Sequence, residues 1–394
     1  MSFMNRFKRP AFILFSIILC VKVIFLVTKG VSLGTDSTWY INAANLCLNE
    51  GVVKYLKTYA MDNINYAVYP LFLSLIFKIG HSSKDFVVLI QIILSSLSFV
   101  LLYKILLKFV KPNYAIFSTL FVALNFEVLQ WDRYLLTDPL FLSLVILFLY
   151  MYVKVCDFDK LNLLKIIGFL FIGFMLFLTR PTALVLVPIS LIFLIYKWIK
   201  HTNKSNLIYL YIAGFIMSFV ILTSALSRYE SLVEMFTHFK EGSVIHQHYD
   251  TYIKNSDQFD TFDNMQRFKY FNALFIKRMV YFWNISLKDH SLRHTIVNYF
   301  YYVPFYFFAL WGLFKAFLKR DNSNIKNRDY LEFLILWVIV VWMIHVFMVI
   351  DYDSRYRIIT YPSLGVFFAL GLVEFMNKFK FVTNEKNRLN EANK

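Results

Sequence analysis

YPLFLSLIFKI, residues 69–79, is an apolar run about half the length of a membrane span, and whether it crosses decides the topology of everything after it. A spanning helix takes about 20 mostly apolar residues. Ten other stretches come close enough to that length: 11–28, 86–103, 114–130, 139–153, 163–179, 182–198, 207–226, 297–316, 331–350 and 357–376. The 394 residues are 59% hydrophobic and 20% aromatic, with a mean hydropathy of +0.56, far more apolar material than one soluble core requires. The chain therefore reads as an all-α polytopic membrane protein.

Positive charge settles the crossing. If residues 69–79 stay on the outer surface, Lys104, Lys108 and Lys111 fall inside, as do Lys154, Lys160, Lys165, Lys197, Lys200 and Lys204. The group Lys315, Lys319, Arg320, Lys326 and Arg328 follows them, and the outer turns keep only Arg133, Arg180, Arg355 and Arg357. A crossing at 69–79 would turn these clusters outward, against the positive-inside bias. The expectation is thus about ten spans with both termini cytoplasmic. The same clustering accounts for the net charge of +16 without a nucleic-acid partner. The first span follows Arg6, Lys8 and Arg9, and with no small-x-small cleavage site after it, it reads as a retained helix. Residues 1–380 read as one membrane domain, with outer loops at 29–85 and 227–295, and 381–394 as a polar cytoplasmic tail that frays from about Thr383.

Working back from 69–79, the first outer loop opens with GTDSTWYINAANLCLNEG, residues 34–51. Tyr40, Ala43, Ala44, Cys47 and Leu48 recur at helical spacing and Gly51 can end the helix, so a helix on the membrane surface is expected. Two readings of Asp36 are open: an N-cap of that helix, or a carboxylate held at the lipid–water boundary. In WDRYLLTDPLF, residues 131–141, Asp138–Pro139 is either a helix cap with Pro at the first position or a second acid at the same face. Glu127 is costly near a span end, and is either paired with Arg133 or part of a site. Arg180 in FLTRPTALVLVP and the pair Arg355 and Arg357 in IDYDSRYRIITYP suit lipid headgroups or bidentate phosphate binding. The stretch 271–287 reads as a third surface helix, anchored by Trp283. Cys20, Cys47 and Cys156 fall at different depths, so no disulfide is expected. His246 and His248 form an isolated HxH, which leaves a divalent metal open and no cofactor assigned. No GxSxG elbow, phosphate-binding Gly loop or dinucleotide fingerprint occurs.

The segments GTDSTWYINAANLCLNEG, YAVYPLFLSLIFKIG, RYLLTDPLFLSLVILFLY, FLTRPTAL and DSRYRIITYPSLG together resemble the GT-C glycosyltransferases, in particular the aminoarabinose transferase and protein O-mannosyltransferase group. The likeness extends over most of residues 8–380, and the acid-plus-aromatic start of the first loop is its most specific part. It implies a GT-C-like bundle with amphipathic surface helices in the outer loops. It also implies an enzyme that moves a sugar from a polyprenyl-phosphate donor to a lipid, glycan or protein acceptor at the outer face, and the wealth of Phe, Ile, Lys, Asn and Tyr fits a bacterial inner membrane. The family's key acids match Asp36 and Asp138 here. Many relatives carry paired acids where this chain has Asp36–Ser37, and often Glu before Pro139, so the division of labour between the two acids stays open. On this resemblance Asp36 acts as base or orients the acceptor, and Asp138 is its partner. Arg355, Arg357 and Arg180 hold phosphate, and Tyr40 and Glu127 contribute to binding.

Two other readings compete. A cell-envelope polysaccharide polymerase or ligase would depend on the long loop and its His246 and His248. A transporter or flippase would need polar residues at mid-membrane depth, where the spans read as Phe, Leu, Ile and Val.

Overall fold

The computed structural model describes residues 3–80, 82–157, 162–201, 261–286, 290–318, 325–347 and 354–392. Among them the chain is helical without strands, apart from one isolated bridge between Ser32 and Tyr134. Helices α1 (Phe3–Lys29), α2 (Ser37–Glu50), α3 (Val68–Gly80) and α4 (Lys84–Leu106) form the first part. They are followed by α5 (Pro112–Ala123), α6 (Phe126–Asp132), α7 (Thr137–Val155), α8 (Leu163–Phe177) and α9 (Ala183–His201). The last part is α10 (Asn264–Tyr281), α11 (Leu292–Leu318), α12 (Ile325–Phe347), a 3₁₀ segment Ser354–Thr360, and α13 (Tyr361–Ala392). α13 continues through the polar residues expected to fray after Thr383.

Seven described stretches are long and apolar enough to span, or eight if α5 and α6 count as one bent span. Of the ten expected, 163–179 forms the 15-residue α8, about 22 Å long at 1.5 Å per residue, which is short of a bilayer core of about 30 Å. The expected span 114–130 is broken, its two helices meeting at 56°. Asn125 makes the break: its backbone is extended and its side-chain oxygen accepts from the Glu127 and Val128 amides at 2.7 and 3.3 Å, capping α6. The span expected over 207–226 lies outside the described residues.

The deciding run 69–79 forms α3. Thirteen residues reach only about 20 Å, too little to cross. Tyr69, Leu73, Ile76 and Phe77 are buried and Leu75 and Ile79 exposed, as an amphipathic helix requires. α2 ends as expected, with Gly51 at φ +85° and its amide bonded to the Cys47 carbonyl at 3.1 Å. Its apolar face, however, packs on protein: Tyr40 and Ala44 share a core with Tyr69, Leu73 and Ile92 of α3 and α4. The third surface helix starts earlier than expected. Asp263 and Gln266 form a capping box that opens α10 at Asn264, and Trp283 follows its end against Tyr306 and Trp342.

α11 and α13 cross closest at Gly312 and Gly371. A Cβ on Gly312 would collide with the Phe367 carbonyl oxygen, and one on Gly371 with that of Phe308. Small residues let the two backbones meet directly.

Candidate active site

The acids of the first loop and of the later turn are far apart in sequence, and a series of polar ties brings them together. Arg133 leaves the end of α6 and donates to the Lys29 and Gly30 carbonyls, both at 3.2 Å, which caps the C-terminus of α1. The Ser32 amide bonds the Arg133 carbonyl at 3.1 Å, and the Leu135 amide returns a bond to the Ser32 carbonyl at 3.2 Å. Ser37 Oγ accepts from the Gly34 amide and donates to the Leu135 carbonyl, both at 2.8 Å. From α4, Gln91 accepts from the Tyr69 hydroxyl at 2.7 Å and donates to the Tyr134 carbonyl at 3.1 Å. The Val68 amide bonds the Leu178 carbonyl at 3.1 Å and so joins α3 to the turn that carries Arg180.

Around these ties lie most of the residues that the sequence points to. Asp36 stands at the N-terminus of α2, exposed, with no capping bond from its side chain. Ser37 instead ties the start of α2 to the Gly34 amide and the Leu135 carbonyl. Asp138 sits inside the first turn of α7, after the extended Leu136, and its carboxylate is ion-paired with Arg180. Arg180 also lies over the Tyr356 ring, 5.4 Å from its centroid, and Arg355 lies over the same ring at 5.2 Å. Tyr40 feels Tyr66, Arg180, Asp36 and Asp138 at once. Burial first, then Tyr66 and the two acids, raise its phenol far above the ordinary range while Arg180 opposes them, so it remains a neutral hydrogen-bond donor. Burial, the largest influence, lowers the Arg180 guanidinium and Arg355 lowers it further, but Asp138, Tyr356 and Tyr66 together outweigh them and its pKa lies above the usual value. Two carboxylates, two guanidinium groups and a phenol thus share one end of the bundle, with no net charge among them. Such a group can accept a proton and hold a phosphate together.

Glu127 and Arg357 are brought to each other. Arg357 is 0% exposed, with Nη2 2.6 Å from Glu127 Oε1; the Tyr361 hydroxyl donates to Glu127 Oε2 at 2.7 Å, and Arg357 also donates to the Asn284 carbonyl. Glu127 therefore pairs with Arg357, while Arg133 serves the end of α1. The outer turn that carries them is a 3₁₀ helix, which sends Arg357 inward and Arg355 toward Tyr356.

One group escaped the sequence reading. Lys22, in the C-terminal half of α1, is buried with its Nζ 2.6 Å from Asp132 and donates to Ser95 of α4 at 2.7 Å. The signal was present, since a lysine within an apolar span needs a partner. Among the described residues no three His, Cys, Asp or Glu side chains stand where they could hold a metal ion. His246 and His248 lie outside those residues.

A family model described as dolichyl-phosphate-mannose-protein mannosyltransferase matches residues 67–224. No curated protein matches the chain. The family match bears out the resemblance to the GT-C glycosyltransferases and supports a membrane glycosyltransferase of that type. It takes in α3, Glu127, Asp138 and Arg180, and leaves Asp36, Tyr40, Arg355 and Arg357 outside.

Proposed function

We propose that the chain transfers a sugar from a polyprenyl-phosphate donor to an acceptor hydroxyl, at the face of the membrane where Asp36, Tyr40, Asp138, Arg180 and Arg355 lie. The observation that carries this reading is the convergence of those five residues from four separate segments, together with the family match over 67–224. Asp36 is the base: it is exposed, has no capping bond, and can take the acceptor proton. The acceptor oxygen attacks the anomeric carbon, the bond from that carbon to the phosphate oxygen breaks, and polyprenyl phosphate leaves with the bonding pair. Inversion at the anomeric carbon follows from a single displacement of this kind. Arg355 and Arg180 stabilise the departing phosphate, and their fork geometry suits its oxygens. Asp138 holds Arg180 in place and sets the charge at the site close to zero before the donor arrives. Tyr40 donates to a donor or acceptor oxygen. Glu127 and Arg357 form the strut under the 3₁₀ segment that presents Arg355.

The test uses purified protein in lipid nanodiscs with a panel of polyprenyl-phosphate-linked sugars, following release of polyprenyl phosphate. Consumption of at least one donor by the wild type, lost in Asp36→Asn and weakened in Arg355→Ala, is the expected result. Donor consumption that survives both substitutions would move the chemistry elsewhere.

A further inference from the structure

The ion pair between Lys22 and Asp132 lies in the interior of the bundle. The two side chains are only 1% and 3% exposed. Ser95 completes a closed triangle: Lys22 Nζ donates to Ser95 Oγ at 2.7 Å, and Ser95 Oγ donates to Asp132 Oδ2 at 3.2 Å. Lys22 also lies over the Phe99 ring at 4.6 Å. Three elements meet here, α1, α4 and the last residue of α6. A buried pair of this kind is a poor device for stability, since desolvation consumes most of the Coulomb gain and apolar residues of similar volume often serve as well. Where such a pair is retained, fixing one register among several is its best-attested use.

Its position in the chain says which register. Asp132 directly precedes Arg133, which caps α1; Ser32 bridges Arg133 and Leu135; Ser37 reaches the Leu135 carbonyl. On the other side, Ser95 and Gln91 lie one turn apart on α4 and hold Asp132 and the Tyr134 carbonyl. The pair is the deepest rung of a polar ladder between residues 22–37 and 132–135. Asp36 directly precedes Ser37, the top rung on one side of that ladder, and Asp138 follows Leu135 on the other. Sliding one side by a residue would break every rung above the pair.

We propose that Lys22 and Asp132 are positioning residues: their pair sets the register of the 22–37 and 132–135 segments and so the placement of Asp36 opposite the Asp138–Arg180 pair. This rests on the reading of Asp36 and Asp138 as the reacting site. Neither residue touches substrate, and an apolar pair in their place would keep the fold while losing the register.

The test separates register from chemistry. Ser32→Cys and Tyr134→Cys face each other across the bridge, within disulfide reach, in a background where Cys20, Cys47 and Cys156 are replaced. Their rate of oxidation reports register without reference to activity. In the Lys22→Met/Asp132→Leu background the thermal midpoint should hold, while cross-linking slows about tenfold or more. Turnover of polyprenyl-phosphate mannose as probe should fall through kcat rather than KM. Asp132→Glu, which keeps the charge and cannot be expected to unfold the protein, should lower kcat by less, and the swap Lys22→Asp/Asp132→Lys should recover part of the cross-linking. Unchanged cross-linking in the apolar pair overturns the proposal. Slowed cross-linking with unchanged turnover of an active probe keeps the register and overturns its link to the reaction through Asp36 and Asp138. If the wild type turns over no polyprenyl-phosphate mannose, the transferred sugar is another one, and cross-linking alone decides the register.

Discussion

At the scale of single residues, Asp36 and Arg355 separate from their neighbours by what their side chains already hold. Asp36 is exposed and makes no capping bond, so Asp36→Asn leaves local structure unchanged while removing the charge. Turnover should drop by about 10²–10⁴, the usual worth of a positioned base, at unchanged melting temperature. Near-wild-type transfer by purified Asp36→Asn would end its assignment as base. The two arginines of the 3₁₀ segment should part in a second experiment. Arg355→Ala removes a charge-assisted phosphate contact, raising the donor KM by roughly 10–100-fold with little effect on stability, and Lys should restore less than the full affinity because the fork is lost. Arg357→Ala strands the Glu127 carboxylate, 3% exposed at its side chain, and should cost about 3–5 kcal/mol of stability. Equal loss of stability in both variants would show that Arg355 is structural too.

At the scale of elements, the contact of α2 and α3 with the short helical segments between them is where the site is assembled, and it is rich in tyrosines. Burial raises the phenols of Tyr40, Tyr55, Tyr59 and Tyr69 above their ordinary range. The sign follows from linkage. In the unfolded chain these phenols ionise near pH 10, while in the folded state they stay neutral. The folded state therefore keeps its full stability below about pH 10 and loses it above. Thermal unfolding measured from about pH 8 to 11 should fall steeply at the upper end, and Tyr59→Phe should flatten that fall; a flat profile in the wild type would mean that the phenols are open to solvent. Much of this assembly was legible in the sequence. The half-length of 69–79, the spacing from Tyr40 to Leu48 and the terminating Gly51 each act within one or two helical turns, and local pattern predicts them. What was not legible depends on residues distant in the chain. Asn125 reads as a tolerable polar residue in an apolar window until its cap on Glu127 and Val128 is seen. Glu127 has Arg133 close in sequence, yet its partner is Arg357, because the end of α1 takes Arg133. Lys22 was passed over in the sequence although a lysine within an apolar span is a signal, and the identity of its partner depended on how α1 meets α6.

At the scale of the whole molecule, one end of the bundle carries Asp36, Asp138, Arg180 and Arg355, and α4 runs from that end to the other. Its first residues follow α3 directly, while its last lead to Lys108, Lys111 and the start of α5. Lysine clusters mark the second end, where Lys197 pairs with Asp329 and Glu332. On the positive-inside rule we propose that the bundle lies with its acids and arginines outward, where a membrane-borne donor is accessible and nucleotide sugars are not. Orientation can be read from α4 alone, because Asp85 and Asn113 are exposed and flank its two ends. In a background lacking Cys20, Cys47 and Cys156, Asp85→Cys should react with a membrane-impermeant maleimide in intact cells, and Asn113→Cys only after permeabilisation. Labelling of both in intact cells would mean that α4 does not span. The reverse pattern would put Asp36 and Asp138 in the cytoplasm. A soluble nucleotide-linked donor would then reach the site, and the case for a polyprenyl-phosphate sugar, which rests on an outward-facing carboxylate, would fail.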